Sequence, residues 1–73
     1  MSKQFTAIIR RETKGFVALC PEMDIASQGE TIEMARDNLR EALELFFESA
    51  SAKEVEHRLG GEVFITQVEV GIG

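Results

Sequence analysis

The sequence predicts a single α+β domain, residues 1–73, with a mainly antiparallel sheet and one main helix packed on it. Three observations predict it. Two short apolar runs flank a glycine turn near the start, an amphipathic stretch at helical spacing fills the middle, and a β-branched run comes near the end. The expected order is β-β-β-α-β, with room for a short second helix before the last strand.

Residues 4–12, QFTAIIRRE, read as the first strand. Phe5, Ala7 and Ile9 share one face, and Thr6, Ile8 and Arg10 the other. Thr13-Lys14-Gly15 supplies the turn, with Gly15 expected to be free to take positive φ. Residues 16–20, FVALC, are apolar on both faces and read as the more central strand, paired in a hairpin with the first. Pro21 has no N–H to give to a ladder and ends that strand. Pro21 to Asp24 reads as a bend, and Ile25 to Gln28 as a short edge strand.

The main helix is expected over 31–50. Thr31 suits the N-cap, and Glu33 in the first turn complements the positive end of the helix dipole. At 100° per residue Ile32, Ala35, Leu39, Ala42, Leu43, Phe46, Phe47 and Ala50 form a core-facing arc. Ile32, Leu39, Leu43 and Phe46 are expected to face the sheet. Glu33, Asp37, Arg40, Glu41, Glu44 and Glu48 gather opposite. Met34 and Leu45 project together beyond that acidic stripe, with Asn38 between them, as a second small apolar patch. Two ordinary exposed apolar residues would give the same pattern. Residues 49–52 read as a fraying end, and 53–59 as a short second helix ended by Gly60-Gly61. Residues 62–70, EVFITQVEV, read as a strong last strand.

The chain carries 13 acidic and 8 basic residues, a net charge of −5. Such a surface repels phosphate and disfavours nucleic acid as a direct ligand. It suits a basic protein partner through charge steering, although mild acidity also serves solubility alone. The start is neither a signal nor a transit peptide, and no apolar run approaches the ~20 residues that cross a bilayer. The cytoplasm is the expected location, and no membrane partner is expected.

Little in the sequence supports chemistry. One His and one Cys make a poor metal set. His57 reads as a solvated residue and Cys20 as a buried, inert thiol. Glu22 and Asp24 flank Met23, but turn-forming acids explain them better than an acid–base pair. The glycines form no phosphate cradle. No catalytic residue, cofactor or metal is expected, and the chain is not expected to be an enzyme.

The stretch from Gly15 to Glu48, GFVALCPEMDIASQGETIEMARDNLREALELFFE, resembles the HicB-like antitoxin family. Pro21, Gln28 and Gly29 fit the family's segment before the helix. Thr31, Glu33, Ala35, Asn38, Glu41, Ala42, Leu43, Glu44 and Leu45 fit its helix motif, T-x-E-x-A-x-x-N-x-x-E-A-L-E-L. The resemblance implies a partial ribonuclease-H-like fold, and an antitoxin that binds and neutralises a small basic HicA-like ribonuclease toxin. Many members add a C-terminal DNA-binding element. Here only Gly71-Ile72-Gly73 follow the last strand, so a short member without that element is expected. The alternative is an orphan homo-oligomeric domain with a structural or accessory role; a small hydrolase using the partial nuclease fold is a third reading.

A chain this short buries only about 60% of its unfolded surface, which favours self-association. A homodimer involving the last strand is expected. Met34, Leu45, Val63 and Ile65 are the expected partner or oligomer contacts.

Overall fold

The computed structural model describes residues 2–73. Three strands, β1 (Ile8–Glu12), β2 (Gly15–Cys20) and β3 (Ile25–Gly29), are followed by two helices, α1 (Ile32–Ser49) and α2 (Ala52–Leu59). The strands form one antiparallel sheet in the order β1-β2-β3. β2 is central, as its two apolar faces require.

Register decides which side chains meet the helix. Ala18 lies between Ile9 and Ser27, and Phe16 between Arg11 and Gly29. With Cys20 and Ile25, these residues form the face beneath α1. The buried core is Ala18, Cys20, Met23, Ala35 and Leu39, with Phe5, Ile9, Phe16, Ile25, Leu43, Phe46 and Phe47 partly buried around it. Small side chains dominate, so the core is thin. The opposite face of the sheet carries Ile8, Val17, Leu19 and Ala26 with no helix over it.

The hairpin turn does not use a left-handed glycine: Gly15 has no positive φ. Its value lies in close approach. A Cβ there would sit 2.6 Å from the Gly29 carbonyl oxygen. Gly29 in turn admits α1, because a Cβ on it would lie 2.5 Å from the Ala35 nitrogen and 2.7 Å from the Met34 carbonyl carbon. The first turn of α1 therefore rests on β3 at backbone distance. That contact leaves Ile32, at the helix start, 48% exposed rather than facing the sheet. Leu39 is 3% exposed, and Leu43 and Phe46 are half-buried, as expected.

Helix boundaries follow their caps. Thr31 is extended and its hydroxyl accepts from the Met34 N–H at 3.0 Å. Ser51, expected in a fraying end, is instead the N-cap of α2, accepting from the Glu54 N–H at 3.1 Å. α2 is held by Arg58, which donates to the Met23 carbonyl and lies over the Phe46 ring at 5.0 Å.

Two strand expectations are corrected. The first ladder begins at Ile8 rather than residue 4. Beyond Cys20 the opposing chain holds Pro21, which has no N–H, and Glu22 supplies side-chain contacts to Thr6 instead of a ladder. The last expected strand, 62–70, joins no sheet. The chain order is therefore β-β-β-α-α, and the tail after Gly61 is exposed throughout. High β-propensity sets a preference for extended backbone; a ladder also needs an edge to pair with. The radius of gyration, 14.4 Å, exceeds the roughly 11 Å of a globular chain this long, as a projecting tail requires. Among the described residues no helix is long and apolar enough to cross a membrane.

Candidate functional site

The bend between β2 and β3 holds the two carboxylates considered for acid–base chemistry, and the fold engages Glu22 while Asp24 stays exposed. Glu22 accepts from the Thr6 hydroxyl at 2.6 Å and from the Thr6 N–H at 3.0 Å. The Cys20 thiol donates to it at 3.4 Å. These bonds tie the segment before β1 to the bend. Asp24 has φ 54°, a left-handed conformation that Asp tolerates better than most residues. Met23, between the acids, is buried in the core.

Donation from the Thr6 hydroxyl, opposed by partial desolvation, holds the Glu22 carboxyl below its ordinary 4.5. Burial, reinforced by the Glu22 carboxylate, pushes the Cys20 thiol up. The thiol is therefore protonated at neutral pH, unlike a reactive thiolate. His57 is exposed on α2. Among the described residues no group of three or more His, Cys, Asp or Glu is placed to hold a metal ion.

The Glu22 bonds give a pH prediction. The folded carboxyl has the lower pKa, so its stabilisation is complete above the ordinary value near 4.5 and fades as pH falls through the folded value. Glu22→Gln is expected to cost about 1 kcal/mol at pH 7, the usual range for a hydrogen bond. That difference should shrink below pH 4.5. Urea unfolding of both proteins at pH 7 and pH 3.5 checks it; a difference that grows in acid contradicts it.

The outer face of α1 carries Glu33, Asp37, Glu41, Glu44 and Glu48, all exposed. Asp37 is paired with Arg36 at 3.3 Å and approached by Arg40 at 4.0 Å. Among the described residues the other four acids make no ion pair. Met34 and Leu45 border this stripe, 46% and 56% exposed. Asn38 between them donates to the Gln28 carbonyl at 2.8 Å, which fixes that side of α1 to β3. The four expected contact residues do not converge. Met34 and Leu45 lie on α1, whereas Val63 and Ile65 lie on the exposed tail.

A groove missed by sequence reasoning runs between α1 and the segment leading into β1. Phe5, Leu39, Leu43, Phe47, Val55 and Leu59 line it. Phe5 stacks on Phe47 at a centroid distance of 5.7 Å, at the groove's edge. Helical periodicity placed Leu39, Leu43 and Phe47 on the core side, yet could not show that α1 would lie over β3 and β2 with little cover for β1. No family model, curated protein or solved structure matches this chain.

Proposed function

We propose that the chain is a protein-binding module of the HicB-like antitoxin type. It binds and neutralises a small basic ribonuclease of the HicA-like kind and performs no catalysis itself. One observation carries this reading: the acidic stripe of α1, on the side turned away from the core, runs beside the half-exposed Met34 and Leu45 at the β3 margin of the helix. Five acids face two arginines along α1. Such a surface steers a basic partner to encounter, and an apolar patch beside it supplies dry contact area. Met34 adapts its shape to a partner surface. The partial ribonuclease-H-like fold implied by the sequence resemblance belongs to the same proposal; its coarser part, an antiparallel three-stranded sheet with helices, is present.

The test is inhibition of RNA cleavage by a HicA-like toxin. The full chain is expected to suppress cleavage. Glu41→Lys with Glu44→Lys is expected to weaken inhibition at least tenfold, chiefly through slower association, and the effect should diminish at high salt. Equal inhibition by wild type and variant contradicts the assigned surface. No inhibition by either contradicts the antitoxin reading and favours the orphan homo-oligomer.

A further inference from the structure

We infer that the C-terminal tail is an exchange strand: residues 63–70 of one chain pair with the free edge of β1 in a second copy, and the second copy returns its own tail. This dimer goes beyond the toxin-binding reading and does not depend on it.

The tail has the properties of a strand without its sheet. Its residues alternate, with Phe64, Thr66, Val68 and Val70 on one face and Val63, Ile65, Gln67 and Glu69 on the other. Phe64 is 82% and Val68 87% exposed. An apolar extended segment left in water is an unfavourable end state for a small domain. Gly60 and Gly61 link it to α2, and without a Cβ they leave its direction of departure little restricted. Twelve extended residues reach about 40 Å, and the molecule's long axis is 49 Å. The tail runs away from its own domain.

The structure also distinguishes the two sheet edges. The Asn38 side chain donates to the Gln28 carbonyl at 2.8 Å, so the backbone groups of Gln28 point away from β2 and that position on the β3 edge is occupied. Backbone groups alternate sides along an antiparallel ladder. Val17, opposite Gln28, therefore turns its own groups toward Arg10 of β1. By the same alternation Ile9 and Arg11 hold their N–H and C=O groups along the outer edge of β1. A strand added there takes those bonds.

The groove completes the fit. It opens beside the segment that leads into β1, between that segment and the two helices, and Phe5, Leu39, Leu43 and Phe47 line it. A strand on the β1 edge places one of its two faces there. The face carrying Phe64, Val68 and Val70 is the more apolar of the two, so it fills the groove. Val63 and Ile65 then extend the apolar back of the sheet beside Ile8 and Leu19. The run 63–70 matches residues 5–12 in length, so the added strand spans β1 and its approach. A twofold axis makes the exchange reciprocal and closed.

The experiment uses the full chain. Wild type is expected to sediment at micromolar concentration as a dimer of its 8.1 kDa chain. Phe64→Lys with Val68→Lys is expected to sediment as a monomer, with self-association at least 100-fold weaker. Its far-UV circular dichroism should retain the helix and three-stranded sheet signal, because those side chains sit in solvent within their own chain. Hydrogen exchange should show the Ile9 and Arg11 amides protected in wild type and open in the variant. A monomeric wild type overturns the proposal, as does a variant that remains dimeric. A dimer whose Ile9 and Arg11 amides exchange freely also overturns it, because the tail then pairs elsewhere, tail to tail or on β3.

Discussion

Gly29→Ala is expected to destabilise the domain by about 3 kcal/mol, the upper part of the range for overpacking a close contact. The added methyl meets the Ala35 nitrogen at 2.5 Å, the Met34 carbonyl carbon at 2.7 Å and the Met34 Cβ at 2.9 Å. Two of these atoms are helix backbone, which no rotamer change can move. Gly29 has no positive φ, so the cost is steric rather than conformational. Replacing glycine by alanine also restricts the unfolded chain, a gain of only about 0.4–1 kcal/mol. The clash wins, and α1 must lift from β3. A domain of this size has roughly 4–11 kcal/mol in total, so the urea midpoint should fall sharply. Gly29→Val should be worse. A midpoint equal to wild type for Gly29→Ala contradicts the backbone-distance packing of α1 on β3.

Leu39→Ala is expected to cost about 3 kcal/mol, within the range for truncating a buried leucine. Leu39 is the one large α1 side chain in the fully buried core, beside Ala18, Cys20, Met23 and Ala35. With so many small neighbours, little else on α1 fills that space. The cost stays short of the maximum because Leu43 and Phe46 are half-buried nearby and can settle partly into the space. Urea unfolding measures it. A loss below about 1 kcal/mol, the usual scale for a surface site, contradicts the placement of Leu39 in the core.

Much of the fold was legible from residue chemistry. The central position of β2 follows from FVALC being apolar on both faces. The start of α1 follows from Thr31, whose hydroxyl does meet the Met34 N–H. Other features were hidden for physical reasons. Met23 sits between two acids in a bend that includes the left-handed Asp24, a setting that gives no local sign of its burial. Glu22 looked like half of a possible acid pair, whereas its hydrogen bonds to Thr6 are long-range and leave no local pattern. Gly29 was read only as part of the segment before the helix; its role depends on how closely two elements pack. The tail shows the limit most clearly. Strand propensity in 62–70 was read as a last strand of the sheet, and the segment joins none; propensity does not say which edge, or whose, a strand joins.

The candidate surface was legible in part. Helical spacing put Met34 and Leu45 beside the acidic stripe, and both are exposed. The groove beside β1 depends on the lateral position of α1 over the sheet, which no periodicity within α1 encodes.

The most direct measurement of the central claim is a backbone amide shift map of the labelled chain titrated with a HicA-like toxin. The largest changes are expected along α1 at Glu33, Met34, Asp37, Glu41, Glu44, Leu45 and Glu48, with the β1 edge at Ile9 and Arg11 unaffected. Saturation without changes on that face of α1, or changes confined to β1 and the tail, contradicts the assignment of α1 as the partner-binding surface.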